Sequence, residues 1–492
     1  MADDMFRAPI HRGMRVLDRS KFIKVIPLRA ARVFNNKDIS RIRSELEKSK
    51  DVLQQDRLAN VHPDPDPELA KKGRRCILLR PELANASTNE HSMNGDAKSI
   101  PWPHSSTVIE LVEKELISLI PYELKLHYDY WTYHDIMSAI LPEDDQGEIP
   151  SGYNGVGHVA HLNLRDEYLK YKHLIAEILL DKNQGMKTVI NKIDDVGEEN
   201  EFRTFKYEVL AGPDDMNVTI SEEDCIFKFD YSKVYWNSKL NTEHRRLVNM
   251  FEPGSVVCDV MAGIGPFAVP AGKKGSFVWA NDLNPDSYTS LEDAIKRNKV
   301  SKYVRPSNKD GRIFIRTATA ELAKTEHNVH IMSKPSKKGP AAEPQLLRTV
   351  TQPKTFSHFV MNLPATAITF LPSFIGLYTP AVRQNLPPNY PLPVIHVYCF
   401  STKSDDNVFE SQKISDVIGK LLHCEMKPGE IKDGGVAIYD VRDVAPKKRM
   451  FCASFRLPRS VAERDVQERE VLRAETAAWA PGALMRAAGT ND

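Results

Sequence analysis

The sequence predicts an α/β fold built on an open, mostly parallel β-sheet in the C-terminal part of the chain. Between about residues 231 and 460, short apolar runs of strand length alternate with helical patterns such as Asp286–Asn298 and Ser411–Leu422. This alternation indicates parallel strands joined by helices. The last two runs follow each other closely, which predicts an antiparallel hairpin at one edge of the sheet. The predicted strands are Ser255–Val260, Ser276–Asn281, Ile313–Arg316, His358–Asn362, Val394–Phe400, Val436–Tyr439 and Met450–Arg456.

Length, charge and cysteine content narrow the class of protein. At about 100–200 residues per domain, a chain of 492 residues is expected to form two to four domains. The 67 Lys and Arg residues balance 66 Asp and Glu residues, which excludes a chain coated in positive charge to hold any polyanion. No apolar run approaches the roughly 20 residues that cross a bilayer, so we expect a soluble protein. The cysteines are scattered singly, which argues against disulfides and structural zinc and favours a reducing compartment.

The order of the patterns predicts four regions along the chain. A basic, strand-like start and a charged helix precede a polar stretch, and strand and helix signals then alternate before the α/β part begins. Changes in composition and loop-like stretches set the boundaries. The predicted regions are a small N-terminal domain (1–105), an α+β middle domain (106–230), the α/β domain (231–460) and a C-terminal tail (461–492).

Individual elements follow from periodicity and composition. In the α/β domain, Ser333–Thr355 holds four prolines and five basic residues against one acid, which predicts a disordered insertion. In the first two regions, the predicted elements are a strand at Phe22–Pro27, a helix from Lys37 to about Asp56, a strand at Val156–Leu164 and a helix from about Asp166 to Leu180.

The strongest single motif is a glycine turn after the first strand of the α/β domain. Val257–Phe267 runs from an apolar strand through Asp259 to Gly263 and Gly265, which lead into a helix. Glycines at this place let a ligand approach the backbone beyond the carboxyl end of the strand. A full G-x-G-x-x-G is absent because residue 268 is alanine, and no P-loop lysine follows. An ordinary tight turn is the alternative interpretation.

An acidic residue follows the second strand, about 20 residues after the glycine turn. Asp282 stands where nucleoside-binding folds of this type carry a carboxylate that accepts hydrogen bonds from ribose hydroxyls. The alternative is that Asp282 caps the next helix, but Asn284 and Pro285 already supply a cap and a first-turn proline. Asp310, before the next predicted strand, is placed to bond an adenine amino group. Three spaced acids without a pyrophosphate loop indicate S-adenosylmethionine rather than a nicotinamide dinucleotide.

The fourth strand ends in a short polar loop, Asn362-Leu363-Pro364-Ala365. In methyltransferases that modify nucleobase nitrogens, this place carries an Asn/Asp-Pro-Pro-aromatic loop that reaches the target base. The chain keeps the amide and one proline but lacks the aromatic residue, which disfavours a methyltransferase of exocyclic amines. Together with the strand pattern, the motifs indicate a Rossmann-like methyltransferase core.

With these motifs, the chain resembles the eukaryotic and archaeal tRNA (guanine-37-N1) methyltransferases of the class I S-adenosylmethionine-dependent fold. The resemblance extends over roughly residues 15 to 457. Further segments carry it, namely Leu17–Phe22, similar to the start of the family's N-terminal domain, Gly157–Arg165, similar to its middle-domain signature, and Lys233–Arg245, similar to the segment that leads into the catalytic core.

The resemblance implies an architecture, an activity and a partner. It implies a Rossmann-like class I methyltransferase core, an α+β middle domain and a small N-terminal tRNA-recognition domain. The implied reaction is methyl transfer from S-adenosylmethionine to N1 of guanosine 37, 3′ of the anticodon, which supports reading-frame maintenance. The implied partner is tRNA, through its anticodon stem-loop and body. We expect a monomer without membrane association, in the cytoplasm and nucleus and with a mitochondrial matrix pool.

The resemblance also implies roles for individual residues. Glu243 aligns with the family's general base and Arg203 with a catalytic arginine, while Asn362 and Pro364 belong to the loop at the target base. Lys239 stands where many relatives have arginine, which keeps the charge but loses the planar fork. The implied cofactor contacts are His244, Asp259, Gly263, Gly265, Asp282, Leu283, Asp310, Gly311 and Asn362.

These roles fit the chemistry of guanine. N1 of guanine carries a proton at neutral pH, so a base such as Glu243 must accept it as the methyl group arrives. The guanidinium of Arg203 would stabilise the negative charge that develops on O6. An acid in the first turn of a helix is the plain alternative for Glu243. His158 and His161 have no third ligand near them in the sequence, so we expect no metal site.

Two other functions are compatible with the same fold. A wyosine-pathway enzyme would transfer an aminocarboxypropyl group from the same cofactor, but it lacks the Asn of the Asn-Leu-Pro loop and the Glu-bearing segment, which this chain has. A non-catalytic tRNA-binding protein is disfavoured because every acid and amide of the site is present. Basic and aromatic residues expected near RNA, with a solvated face or the core as the plain alternative, are Arg165, Lys170, Lys172, Tyr235 and Trp236.

Overall fold

A computed structural model describes residues 5–81, 106–193, 202, 204–333 and 345–465 of the chain. The chain divides into two compact units. Unit 1 comprises Met1–Tyr153, Leu162–Asn191 and Val209–Pro213, and unit 2 comprises Asn154–His161, Lys192–Glu208 and Asp214–Asp492. Within the described ranges, none of the helices has the length and apolar character needed to cross a membrane.

The secondary structure alternates strands and helices along most of the chain. The strands are β1 (Lys24–Val33), β2 (Val61–Pro63), β3 (Arg75–Leu78), β4 (Ile117–Leu126), β5 (Asn154–Val156), β6 (Val159–Leu162), β7 (Thr188–Lys192), β8 (Tyr207–Ala211), β9 (Asn217–Glu222), β10 (Cys225–Asp230), β11 (Val256–Asp259), β12 (Phe277–Asn281), β13 (Val304–Ser307), β14 (Asn328–Met332), β15 (Leu346–Thr351), β16 (His358–Met361), β17 (Val394–Thr402), β18 (Ala437–Ala445) and β19 (Lys448–Arg456). The α-helices are α1 (Ile39–Lys48), α2 (Pro67–Lys71), α3 (Ser106–Glu113), α4 (Tyr133–Ile140), α5 (Asp166–Leu169), α6 (Lys172–Lys182), α7 (Asn241–Val248), α8 (Ala268–Lys274), α9 (Pro285–Arg297), α10 (Gly311–Leu322), α11 (Pro380–Arg383), α12 (Val408–Leu422) and α13 (Arg459–Ala462).

Unit 1 contains an antiparallel sheet with the strand order β2-β3-β1-β4. Strands β1 and β4 pair over ten residues, from Lys24 opposite Leu126 to Val33 opposite Ile117. One face of this sheet packs on α1 through Ile42, which is fully buried. The predicted domain boundary at residue 105 therefore falls inside unit 1, because β4 completes the sheet that β1 begins.

Unit 2 contains a seven-stranded sheet with the order β13-β12-β11-β16-β17-β19-β18. The first five strands in this order are parallel, whereas β19 runs antiparallel to both β17 and β18. This confirms the predicted open parallel sheet with an antiparallel hairpin at its edge. The chain leaves β11 towards β12 and β13 and returns on the other side of β11 with β16. Such a reversal opens a crevice at the carboxyl ends of the strands.

The third strand of this sheet is not the one that the sequence predicts. The segment predicted as a strand, Ile313–Arg316, lies within helix α10, and β13 (Val304–Ser307) takes its place at the sheet edge. Residues three and four apart, such as Phe314, Ile315 and Ala318, point into the core, which is helical and not strand spacing. The four-residue apolar run did not distinguish these two periods.

The prediction that Ser333–Thr355 is a disordered insertion is wrong for the second half of this segment. Strand β15 pairs with β14 in an antiparallel hairpin, in which Val350 lies opposite Val329. The chain then returns to the core, where Gln352 accepts a hydrogen bond from Trp279 Nε1 at 3.3 Å. Residues 334–344 of the insertion lie outside the described residues. Most of the tail predicted at 461–492 also lies outside them.

Several predicted elements are shorter or divided in the structure. The predicted helix from Lys37 to Asp56 ends at Lys48, and the helix predicted from Asp166 to Leu180 is divided into α5 and α6. The predicted strand Val156–Leu164 is a hairpin of β5 and β6 with a turn at Gly157 and His158. Gly157 has a φ of +56°, and an added Cβ would lie 3.0 Å from Val218 Cβ, so the turn favours glycine.

Candidate active site

A cavity of unit 2 lies at the carboxyl ends of the parallel strands, where the strand order reverses. Its volume is about 1080 Å³ counted out to its open mouth. Among the described residues, four of the sequence-predicted site residues, Glu243, His244, Asp259 and Gly265, lie outside its lining. The sequence-predicted residues that do line it are Gly263, Asp282, Leu283, Asp310, Gly311, Asn362 and Pro364.

The two glycines of the turn after β11 have different surroundings. Gly263 has a φ of +55°, and a Cβ added to it would meet no atom within 4 Å, so its backbone faces open space in the cavity. Gly265 has a φ of +98°, and its Cβ would lie 2.6 Å from Leu291 Cδ1 on helix α9. A side chain at residue 263 would occupy the cavity, whereas one at residue 265 would push helix α9 away.

Asp282 holds the turn and the next loop together. Its Oδ2 accepts the Gly263 N–H at 2.8 Å, and its Oδ1 accepts the Asn284 N–H at 2.9 Å. Asn284, not Asp282, caps helix α9, because its Oδ1 accepts the Asp286 N–H at 2.9 Å, as the sequence indicates. Burial raises the pKa of Asp282, and the two backbone N–H groups lower it in part.

Asn281 is a site residue that sequence analysis missed. It is buried, and its Nδ2 donates to Val260 O at 3.1 Å and to Lys309 O at 2.9 Å, while its Oδ1 accepts the Lys309 N–H at 2.9 Å. One amide therefore joins the ends of β11 and β12 to the loop before α10. The sequence offered one signal for this role, because Asn281 is an amide residue that ends an apolar run directly before Asp282.

Asp310 begins a helix rather than preceding a strand. Its Oδ1 accepts the N–H groups of Arg312 at 2.8 Å and Ile313 at 3.2 Å, which is an N-cap of α10. The next residue, Gly311, is closely packed, because an added Cβ would lie 2.9 Å from Val260 Cγ1 and 3.0 Å from Phe370 Cε1. The absence of a side chain at Gly311 therefore lets Phe370 form part of the cavity wall. The sequence analysis also missed Phe370.

Helix α7 carries Glu243 and His244, which are both buried behind the cavity wall. Glu243 accepts two hydrogen bonds from Arg246, at 2.6 and 2.7 Å, and one from the Tyr398 hydroxyl at 2.6 Å. His244 Nδ1 lies 2.5 Å from Glu222 Oε1. Leu240, three residues before Glu243, lines the cavity. Arg203 lies outside the described residues.

The other predicted functional side chains have separate environments. Trp236, expected near RNA, is buried against Phe227 and Phe229 and belongs to the core, whereas Tyr235 is half exposed and lines the cavity. The two histidines are engaged apart from each other. His158 Nε2 lies 3.0 Å from Asp215 O, and His161 Nδ1 lies 3.0 Å from the Tyr231 hydroxyl.

Asp259 is the least satisfied acid of the site. It is fully buried at the end of β11, and no side chain among the described residues donates a hydrogen bond to its carboxyl oxygens. Burial raises the pKa of Asp259 well above its ordinary value, the carboxylate of Asp282 raises it further, and the Met261 N–H lowers it only in part. Burial therefore opposes ionisation of this side chain in the folded chain.

Comparison with known protein families matches two parts of the chain. Residues 133–215 match the TYW2 N-terminal domain, and residues 219–335 match the TRM5/TYW2 methyltransferase domain. The chain is 53% identical over 465 residues to the tRNA (guanine(37)-N(1))-methyltransferase of Fusarium vanettenii, an alignment that covers 93% of this chain and 97% of that protein. It is 54% identical over 469 residues to the enzyme of the same name from Neurospora crassa, covering 93% and 95%.

Solved structures share the fold at low sequence identity. The complex structure of aTrm5 and tRNALeu superposes with a TM-score of 0.54 at 18% identity, covering 87% of this chain and all of that one. Trm5b from Pyrococcus abyssi superposes with a TM-score of 0.50 at 20% identity, covering 87% and 99%. These likenesses support the α/β architecture described above.

We expect Asp259→Asn to stabilise the ligand-free protein at near-neutral pH. A carboxyl group whose pKa is raised on folding contributes fully to stability below its ordinary pKa of about 3.8, and this contribution is lost as the pH rises through the raised pKa. The amide carries no charge to bury, so the melting temperature of the variant should exceed that of the wild type at pH 7–8. The difference should shrink towards about pH 4.

The matched control is Asp433→Asn, which removes an exposed carboxylate of the same unit. Its melting temperature should follow that of the wild type at each pH, because an exposed carboxylate is hydrated in both states. A stability difference between Asp259→Asn and the wild type that does not change with pH would show that burial does not oppose the ionisation of Asp259.

Proposed function

The chain belongs to the tRNA (guanine(37)-N(1))-methyltransferase family, and we propose that the cavity of unit 2 brings its cofactor and guanosine 37 together. The protein is a tRNA (guanine-37-N1)-methyltransferase that transfers a methyl group from S-adenosylmethionine to N1 of guanosine 37. The observation that carries this conclusion is identity above 50% over nearly the whole length of such enzymes.

The lining of the cavity fits a nucleoside cofactor. Asp282 directs a half-buried carboxylate to the cavity from the end of β12, where ribose hydroxyls can donate to it. The open space at Gly263 admits a ligand against the backbone, and Gly311 with Phe370 forms a wall suited to a flat base. When bound, S-adenosylmethionine supplies an electrophilic methyl group. Leu283, Asp310 and Asn362 complete the proposed contacts, while His244, Asp259 and Gly265 support the turn from behind.

Glu243 is the proposed acceptor of the N1 proton. Its Oε2 lies 2.6 Å from Arg246 Nε, so the guanidinium holds the carboxylate in a fixed position. Glu243 lies in the first turn of helix α7, and Leu240, the residue that precedes this helix, lines the cavity. The proposal requires the carboxylate to exchange its bond to Tyr398 for one to guanine N1 when tRNA binds. Arg203 would stabilise the charge on O6, and Asn362 and Pro364 would hold the base.

The target base must leave its stack to reach the cavity. Position 37 lies in a loop and is unpaired, which makes base flipping energetically modest. The proposed contacts with tRNA involve its anticodon stem-loop and body, and the half-exposed Tyr235 is suited to stack on RNA. Arg165 and Lys170 are exposed on unit 1, where they pair with Glu148 and Asp145. We further propose a monomer in the cytoplasm and nucleus, with a mitochondrial matrix pool, and a role in reading-frame maintenance.

The reaction is tested with two tRNA transcripts that differ only at position 37. The full-length protein, labelled S-adenosylmethionine and a guanosine-37 transcript should give 1-methylguanosine at position 37 by mass spectrometry, whereas an adenosine-37 transcript should stay unlabelled. An aminocarboxypropyl adduct would favour the wyosine-pathway reaction. Binding of tRNA without any modification would favour a non-catalytic protein.

We expect Asp282→Ala to weaken binding of S-adenosylmethionine and leave tRNA affinity nearly unchanged. Loss of hydrogen bonds from two ribose hydroxyls to a charged acceptor should cost about 2–4 kcal/mol, measured by calorimetry. The control is Asp286→Ala, which removes an exposed carboxylate four residues further along the chain. Unchanged cofactor affinity in Asp282→Ala would overturn the assignment.

We expect Glu243→Gln to lower the single-turnover methylation rate by about 10²–10⁴-fold while both substrates still bind, because loss of a general base costs that much. The wild-type rate should rise with pH until the carboxylate has ionised, and the variant should lose this rise. Rapid-quench measurements over pH provide the test.

Two controls separate proton transfer from structural support. Glu223→Gln breaks the ion pair between the partly exposed Glu223 and Arg245, which lies on the helix of Glu243. This change should leave the rate unchanged. Tyr398→Phe removes one hydrogen bond of Glu243 but keeps the carboxylate, so the rise of the rate with pH should remain. A near wild-type rate in Glu243→Gln would make Glu243 a structural acid of the helix start.

A further inference from the structure

The wall of the cavity is divided between two kinds of polar group. The half formed by the ends of β12 and β13 carries the carboxylates of Asp282 and Asp310. The half formed by the edge hairpin carries Arg442, which is the one Lys or Arg among the described residues that line the cavity. An anionic group that enters this cavity therefore meets its opposite charge at the hairpin.

The strand register brings Arg442 to the cavity as part of a row. On the three edge strands, Phe400 of β17 lies opposite Met450 of β19, and Met450 lies opposite Arg442 of β18. All three side chains line the cavity. Lys448 lies beside this row, with its Nζ 4.4 Å from the centre of the Phe400 ring. The row thus joins an aromatic face to two positive charges.

Arg442 differs from Arg449, the other arginine near the turn of its hairpin. Arg449 forms ion pairs with Asp440 at 2.8 Å and Asp443 at 2.7 Å, and Asp443 also pairs with Lys403. Arg442 donates only its Nε, to Asp443 O at 3.2 Å, and among the described residues its terminal nitrogens have neither an ion pair nor a hydrogen bond. A half-buried guanidinium with free donors is suited to bind an oxyanion in the plane of its fork.

The two proposed substrates each carry an anionic group that could reach the cavity. These groups are the carboxylate of the cofactor's amino-acid part and a phosphodiester of the RNA. The strand order separates Arg442 from the cofactor side. Strand β18 lies five spacings from β12, or about 24 Å at about 4.8 Å per spacing. A nucleoside ligand bound at Asp282 would extend over the ends of β11 and β16, where the loops after these strands carry Gly263 and Asn362. The hairpin lies beyond them, away from Asp282, which leaves this side of the cavity to the other substrate, the RNA.

We propose that Arg442 binds a phosphodiester next to the flipped nucleotide 37, and that it positions the substrate RNA rather than the cofactor. Lys448 adds positive charge beside Phe400, whose ring closes the same side of the cavity. The inference rests on the proposed function for the identity of the RNA. The bound group itself is a backbone phosphate, which any nucleic acid loop of this shape supplies.

The test compares Arg442→Met with Lys447→Met, which removes an exposed charge from the turn of the same hairpin outside the cavity. We expect Arg442→Met to weaken tRNA binding about tenfold and to leave the affinity for S-adenosylmethionine unchanged. The slope of log Kd against log salt should fall by about 0.7–0.9, the change for one lost phosphate contact. Lys447→Met should change neither quantity, and Arg442→Lys should recover part of the affinity.

A chemical change in the RNA identifies the phosphate. Anticodon stem-loops with a single neutral methylphosphonate on either side of nucleotide 37 should bind the wild type about tenfold more weakly at one of the two positions. Arg442→Met should bind that modified RNA and the unmodified RNA equally, because the contact is already lost.

Three results would overturn the proposal. Weaker cofactor binding with unchanged tRNA binding would assign Arg442 to the cofactor carboxylate. Unchanged binding of both, or additive losses from the variant and the methylphosphonates, would show that Arg442 contacts no phosphate there. These tests measure binding and not methylation. Failure of the wild type to methylate guanosine 37 would therefore count against the proposed function, whereas the binding results would still test the role of Arg442.

Discussion

The site depends on one half-buried carboxylate that accepts two backbone hydrogen bonds. Asp282 accepts the N–H groups of Gly263 and Asn284, which stand after different strands of the parallel sheet. Parallel neighbouring strands end at the same edge, so a single acid can join both loops only in this topology. Asn281 adds hydrogen bonds between the same strand ends and the loop before α10. These two side chains position the turn at Gly263 together with the backbone hydrogen bond from the Ala262 N–H to Asn281 O, at 2.7 Å.

The same arrangement accounts for the charges of the site. Asp259 is fully buried and Asp282 lies at the cavity wall, and desolvation opposes the ionisation of both. The oxygens of Glu243 accept hydrogen bonds from Arg246 and Tyr398. Positive charge reaches the cavity from the opposite edge of the sheet, through Arg442. The strand order therefore separates a carboxylate side for hydroxyl donors from a guanidinium side for anions.

The differences between prediction and structure have a common cause. Ile313–Arg316 is too short for a period of two to be distinguished from a period of 3.6, and only its packing against the sheet selects a helix. Leu346–Thr351 lies in a basic, proline-rich segment, yet it becomes a strand because β14 supplies a partner with free backbone groups. In both segments, the contact that decides the structure comes from residues distant in the sequence or from the face of another element.

The sequence by itself determined six of the seven strands of the large sheet in unit 2, the glycine turn, the acid after the second strand and the resemblance to the family. These features depend on residues within one turn or one strand of each other, so local spacing carries them. Only the tertiary structure decided which candidates share a cavity. It joined Gly263, Asp282, Gly311 and Asn362, added Asn281, Phe370 and Arg442, and left Glu243 and Asp259 behind the wall. The physical reason is that strand order and register, which no local pattern encodes, bring these residues together across the sheet.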